Sequence, residues 1–223
     1  MRVHHHLDDA SLMRYASGDL DPAFCTVVAS HLAMCDESRE AVRLAEAVGG
    51  ACLHQIPDAE VSDDALARIS QMIDADMTQE RAPEAEAPIV AANSGTSDVP
   101  LPLQRLIGDS LDNVDWQWLV PGVQRHRIEL AGTDSSLFLL KINPGRKMPE
   151  HGHGGTEMTL VLRGSYSDTL GKFGPGDIAD LDEHVEHQPV VDSDEPCICL
   201  VATEEPTQFK GLVSRLMQPL VKI

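Results

Sequence analysis

The residues best suited to chemistry in this sequence are histidines, and they fall into two sets. In the second half, His151 and His153 are separated by a single glycine, and Glu157 follows four residues after His153. Side chains alternate along an extended strand, so His151 and His153 point to one face. A turn at Gly154-Gly155 brings Glu157 back towards them from the next strand. Imidazoles and a carboxylate held together are a ligand set for a metal ion, and those donors do not by themselves select among zinc, iron, manganese and nickel. In the first half, His31 and Cys35 lie four residues apart, which on a helix places them on one face a turn apart. An imidazole nitrogen and a thiolate suit a tetrahedral zinc. Spacing alone fits a buried core pair equally well. His4, His5 and His6 are further candidate ligands near the N-terminus.

Helices must position the first set. Between Leu7 and Met77 the apolar residues recur at helical spacing. Asp9 caps a first helix that runs out at Gly18, and Asp21-Pro22 opens a second carrying Phe24, Val27, Val28, Leu32 and Cys35. A third is predicted from Glu37 to about Val48, closed by Gly49-Gly50. A fourth, capped by Ser62, sets Leu66, Ile69, Ile73 and Met77 along one face, with Asp63, Asp64, Asp74 and Asp76 elsewhere. Residues 79–100 are rich in Pro, Ala and acid, lack periodicity, and read as a linker. Beyond it come short β-prone runs, among them Leu137–Ile142, Glu157–Leu162, Ile178–Leu181 and Cys197–Ala202, the pattern of a barrel or sandwich. A last helical stretch, 209–220, is expected to pack on the barrel as a tail.

Composition narrows the partners. The 223 residues suggest two domains. With 36 acidic against 17 basic residues the formal net charge is −19, so nucleic-acid phosphates should repel the chain. An aromatic content of 4% argues against base stacking. A basic protein is the better-matched partner, including one that itself binds DNA. Five cysteines without framework spacing do not read as a secreted disulfide scaffold. No apolar leader or membrane-length run is present, so no membrane association and a reducing, cytoplasmic compartment are expected. Cys25 and Cys52 fit no ligand pattern and are expected in the core.

The run Gly145, His151-Gly-His153, Glu157, Gly164 resembles the first motif of the cupins, and Gly174-Pro175-Gly176-Asp177 resembles the turn of the second. That resemblance implies a fourth ligand eleven residues past Gly176, at His187, with His184 as its competitor. The N-terminal segment resembles the zinc-binding anti-sigma domain, in which an N-terminal histidine and a His-x3-Cys-x2-Cys run hold one zinc. His6, His31 and Cys35 match that pattern, whereas Ser38 stands where it calls for a second cysteine, which would leave three protein ligands and a weaker site. Together the two halves resemble the ChrR type of anti-sigma factor. This implies zinc in both sites, with metal ligands His6, His31, Cys35, His151, His153, Glu157 and His187. Cys197-Ile-Cys199 matches a pair that recurs in that type; two residues apart on one strand, the cysteines share a face, either beside the metal or in the core.

The expected architecture is therefore α+β and multi-domain. A small helical bundle at 1–78 is joined by a linker at 79–100 to a cupin domain at 101–223, a double-stranded β-helix or jelly-roll barrel. The resemblance implies that the helices bind an alternative sigma factor of the extracytoplasmic-function type. The cupin would sense singlet oxygen or related oxidants, after which the sigma factor is released. A metal-dependent cupin dioxygenase or isomerase with a helical extension is the alternative, disfavoured because an enzyme has no need of the N-terminal half-site.

Overall fold

The computed structural model describes residues 3–78 and 97–205, and the backbone of 208–209. Helix α1, Asp9–Ser17, has its cap one residue earlier than predicted. Asp8 is the N-cap, its carboxylate accepting from Ser11 N at 2.6 Å, and the helix stops at Gly18 with φ 75°. A positive φ there suits glycine, which has no Cβ to collide with the backbone. Helix α2, Pro22–Met34, is capped by Asp21, whose carboxylate accepts from Ala23 N at 2.8 Å. Helix α3, Asp36–Leu53, runs through Gly49 and Gly50 instead of ending there. Neither glycine takes the left-handed conformation that a glycine stop requires. Helix α4, Ala65–Thr78, begins just past Ser62, and a short α5, Leu101–Ile107, precedes the strands.

The strands are β1 Gln117–Val120, β2 Val123–Ile128, β3 Ser136–Ile142, β4 His151–Gly152, β5 Glu157–Arg163, β6 Tyr166–Asp168, β7 Gly171–Phe173, β8 Ile178–Leu181, β9 Glu186–His187, β10 Val190–Val191, β11 Cys197–Thr203 and β12 Gln208–Phe209. They form a six-stranded sheet in the order β1-β2-β3-β11-β5-β8 and two three-stranded sheets, β10-β6-β7 and β12-β4-β9. The expected closed barrel is not what these strands make. The three sheets are separate, and β1 and β8 remain edges of the largest. The strands that carry His151 and His187 are two residues long, interrupted by Pro149, Gly154, Gly155 and Pro189, and cannot sustain a continuous ladder.

The large sheet is buried on both faces. Leu137, Leu139, Leu160, Leu200 and Ala202 face a core that includes Phe24, Val27 and Val28 of α2. Phe138, Val161, Tyr166, Phe173, Cys197, Cys199 and Val201 form a second core on the other face. All seven residues of β11 are buried, which is why this strand reads as a continuous apolar run. Each buried Val, Leu or Phe contributes about 2 kcal/mol by leaving water, so α2 and the sheet stabilise one another.

Two compact units result: Met1–Gly49 together with Ser97–Ile223, and Gly50–Thr96. This grouping differs from the 1–78, 79–100, 101–223 division, because α2 shares a core with the sheet. Of the expected linker, 79–96 lies outside the described residues. Its end is anchored, with Val99 buried and Asp98 paired to Arg163. The expected tail helix also falls outside the described residues beyond Phe209, which belongs to β12.

Candidate metal centres

His151 on β4, His153 just after it, Glu157 at the start of β5 and His187 on β9 converge, with ligand atoms within 4.8 Å of one another. All four are buried. Register explains the meeting: β4 pairs with β9 so that His151 stands opposite His187. Gly164 closes the motif at φ 72°, where a Cβ would lie 2.7 Å from the Pro196 carbonyl oxygen. His184 stays on an exposed loop, and among the described residues it joins no such cluster.

The hydrogen bonds fix which nitrogen of each ring faces inward. His151 Nδ1 lies 2.8 Å from the Pro149 carbonyl oxygen, and His187 Nδ1 lies 2.8 Å from Asp168 Oδ2. Both partners accept, so both rings carry their proton on Nδ1 and turn the Nε2 lone pair into the site. The two Nε2 atoms lie 3.0 Å apart. Two lone pairs at that distance repel unless a cation lies between them. With metal–nitrogen bonds of about 2.1 Å, ligand nitrogens around one ion stand roughly 3.0–3.4 Å apart, so the spacing fits a shared metal. Both nitrogens of His153 are buried without a hydrogen bond, although Nδ1 comes within 3.2 Å of Glu157 Oε2. That is the signature of a ring kept for a ligand other than the protein.

Electrostatics follows from burial and neighbours. Burial lowers the His151 pKa to about 4, aided by His187. Burial alone would raise the Glu157 pKa, but its contact with His153 and the charges of the three imidazoles outweigh it, holding the carboxyl below its ordinary value. Asp168 behaves alike: burial raises its pKa, and the bond to His187 with the Leu170 and Gly171 amides more than reverses this. The site favours a neutral His151 and ionised Glu157 and Asp168 carboxylates, the protonation that metal binding needs.

Beside the cluster lies a cavity of about 60 Å³ bordered by Phe138, Leu140, Met148, Tyr166, Cys199 and Val201 among others. Cys197 and Cys199 share a face as expected, with sulfurs 3.7 Å apart. The hydrogen bond between these thiols, with burial, pushes the Cys199 thiol well above its ordinary value.

The second cluster is His6, His31 and Cys35. His31 is wholly buried on α2, Cys35 is the buried C-cap of that helix, and His6 precedes α1. Ser38, in the first turn of α3, stands among them. Its Oγ lies 2.9 Å from His31 Nε2, 3.4 Å from Cys35 Sγ and 3.4 Å from His6 Nδ1. Position 38 thus occupies the fourth corner of the cluster. His31 Nδ1 lies 2.9 Å from the Gly176 carbonyl oxygen, so it too carries its proton on Nδ1 and presents Nε2 to the cluster. Burial lowers the pKa of His31. His4 is exposed and His5 stacks on Phe173 with ring centroids 4.0 Å apart, leaving His6 in the cluster. Cys25 is partly buried, whereas Cys52 is exposed and not the core residue expected; it lies in the solvent-facing last turn of α3.

Three features escaped sequence reasoning. Asp168 carries no spacing signal towards His187, nineteen residues away. Gly176 and Asp177 belong by motif to the cupin turn, yet Gly176 bonds His31 and Asp177 holds the amides of His4 and His5, next to His6. Tyr166 lines the cavity with a buried hydroxyl that has no hydrogen-bond partner among the described residues.

Fold and clusters together define a cupin-like protein with a helical extension and two sites competent for metal. Residues 105–206 match the family described as the ChrR cupin-like domain. The chain is 38% identical to the anti-sigma-E factor ChrR of Cereibacter sphaeroides over 223 residues, all of both chains. It also matches the crystal structure of Rhodobacter sphaeroides SigE in complex with the anti-sigma ChrR, at 36% identity and a TM-score of 0.74, covering 91% of this chain and 99% of that one. The chain belongs to the ChrR family of anti-sigma factors, not to the catalytic cupins. No helix among the described residues is long and apolar enough to cross a membrane.

Proposed function

We propose that this protein is a cytoplasmic anti-sigma factor that binds and inhibits an alternative sigma factor of the extracytoplasmic-function type. In this reading it releases that factor in response to singlet oxygen or a related oxidant. The observation that carries the reading is full-length similarity to an anti-sigma factor, together with the structural match to a ChrR in complex with SigE. The charge of the chain supports it, since a net −19 suits a basic, DNA-binding partner. So does α4, whose Leu66, Ile69, Met72 and Ile73 are all more than half exposed. Acidic residues surround that stripe, as on a surface that receives a basic partner.

Both metal clusters hold zinc in this reading. His151, His153, Glu157 and His187 hold one ion, and His6, His31 and Cys35 the other, with Ser38 at the remaining corner. Zinc supplies a crosslink: it ties β4, β5 and β9 together in one site, and the N-terminal segment, α2 and α3 in the other. The chain's own groups turn Nε2 of His151, His187 and His31 inward, whereas His6 presents Nδ1. The working division is a sigma-binding segment at 1–78, a connection at 79–100 and a sensory cupin domain at 101–223.

Transcription by polymerase core carrying an extracytoplasmic-function sigma factor from the same genome tests the reading. Adding the chain should silence it, and generating singlet oxygen should restore it. Undiminished transcription at saturating chain would rule the function out.

A further inference from the structure

The turn Gly174–Asp177 belongs to the cupin by motif, but its polar groups serve the other cluster. Asp177 Oδ1 accepts from His4 N at 2.6 Å and from His5 N at 3.0 Å. Its Oδ2 accepts from Gly174 N at 2.8 Å, which closes the turn itself. The next residue continues the attachment, Ile178 N donating to the His5 carbonyl oxygen at 3.2 Å. His5 is further held by its stack on Phe173 and by its Nε2, 3.1 Å from the Lys172 carbonyl oxygen. The Gly176 carbonyl oxygen meanwhile accepts from His31 Nδ1 at 2.9 Å. Asp177 is 3% exposed, so these bonds are shielded from water.

From this geometry we infer that Asp177 and the Gly176 carbonyl are positioning groups for the N-terminal metal centre, which is assembled on the cupin turn and not by the helices alone. Asp177 anchors the His4 and His5 amides and so places His6 one residue on. The Gly176 carbonyl fixes the proton of His31 on Nδ1 and aims Nε2. Two of the three metal-competent side chains in that cluster thus owe their placement to one turn of the cupin. The same turn is bonded to the strand of the other cluster. Gly176 N donates to the Val161 carbonyl oxygen at 2.8 Å, and Val161 N donates to the Asp177 carbonyl oxygen at 3.0 Å. Val161 lies on β5, which begins at Glu157. The backbone of β5 and these two hydrogen bonds thus connect the cupin metal site to the turn that holds the other cluster.

This inference rests on the reading of His6, His31 and Cys35 as a metal centre, and cobalt titration of the full chain separates the two. Cobalt bound at Cys35 gives a thiolate charge-transfer band, identified as the band that Cys35→Ser abolishes. Absence of that band in the unaltered chain would overturn the metal-centre reading and the inference with it. Given the band, Asp177→Ala should weaken cobalt binding at the thiolate site by about tenfold or more, as loss of an outer-shell partner does. Cobalt at the thiolate-free site should bind as before. His5→Pro removes one of the two amides that Asp177 holds, and with it the ring on Phe173 and Lys172, while leaving residues 174–177 unchanged, and should weaken the thiolate site in the same sense. Because both changes break the contact between Asp177 and the His5 amide, the loss in the double variant should fall short of the sum of the two single losses. Where Asp177→Ala disturbs both sites, His5→Pro decides: a loss confined to the thiolate site upholds the inference. Undiminished affinity in either single variant, or losses that simply add, would overturn it.

Discussion

Asp168 Oδ2 lies 2.8 Å from Nδ1 of His187, and through it the carboxylate sets which nitrogen His187 turns towards His151, His153 and Glu157. A ligand imidazole that donates its second N–H to a carboxylate is fixed in tautomer and made more basic. Replacing Asp168 with Asn should lower metal affinity at the cupin cluster about 10- to 100-fold while leaving the His6, His31 and Cys35 cluster unchanged. Chelator competition on the full chain, followed by metal analysis, checks this. An unchanged affinity would mean that His187 is oriented by β9 alone.

Ser38 supports a second prediction. Its hydroxyl already stands within 3.4 Å of a ligand atom from each of His6, His31 and Cys35. A serine hydroxyl stays protonated at neutral pH and is a poor zinc donor, whereas a thiolate brings charge and a soft sulfur. Ser38→Cys should therefore raise zinc affinity at this cluster and slow its loss to a coloured chelator. Position 38 is only 2% exposed, but Cys is close in size to Ser, so the fold should tolerate the change. Equal affinities for the two forms would place position 38 outside the coordination sphere.

Much of the cupin cluster was legible in the sequence because its information is local. Alternation along a strand put His151 and His153 on one face, a two-glycine turn returned Glu157, and motif spacing chose His187 over His184. The absence of closure into a barrel was not legible: the strands form three separate sheets. Sheet closure depends on long-range pairing, and the two-residue strands around Pro149 and Pro189 carry no signal for it. The shared core of α2 and the sheet was missed for another reason. Phe24, Val27, Val28, Leu32 and Cys35 were read as one helical stripe, yet α2, with Ala23, Phe24, Val27, Val28, Ser30 and His31 all buried, is buried on more than one side. Such a helix needs neighbours on several sides, and a small bundle cannot supply them. Asp168 and Asp177 were invisible because a carboxylate's partner nineteen or 172 residues away leaves no periodic trace.

Acid should destabilise the metal-free chain. The folded-state pKa of His151 is lowered from 6.5 to about 4, and that of buried His31 is lowered too. Between those values the unfolded chain binds more protons than the folded one, so stability rises with pH and is lost as pH falls from about 6.5 towards 4. For His151 alone the loss reaches at most about 3 kcal/mol. Glu157 and Asp168, with lowered pKa values, act in the same direction at still lower pH. Thermal unfolding of chelator-treated protein should show a lower midpoint at pH 5 than at pH 7. A midpoint that does not fall would contradict the buried, neutral state of these imidazoles.

The exposed stripe of α4 should matter to partner binding and not to folding. Ile69 and Ile73 are each 55% exposed and Leu66 is 77% exposed. Changing Ile69 and Ile73 to Ser should alter stability by no more than about 0.5 kcal/mol each. The same pair of changes should weaken sigma-factor binding at least tenfold if the stripe is buried against the partner, since large apolar anchors dominate such interfaces. Calorimetry for stability and surface plasmon resonance for affinity separate the two effects. Unchanged affinity would assign the stripe to another role.

A chain that sequesters a sigma factor must compete with polymerase core for it. An extracytoplasmic-function sigma factor from the same genome, labelled with a fluorophore, is bound to polymerase core, and the chain is titrated in while anisotropy is read. The chain should displace core and form a one-to-one complex with the sigma factor, and singlet oxygen should reverse the displacement. Core that keeps its sigma factor at every concentration of the chain, across all such factors the genome encodes, would contradict it.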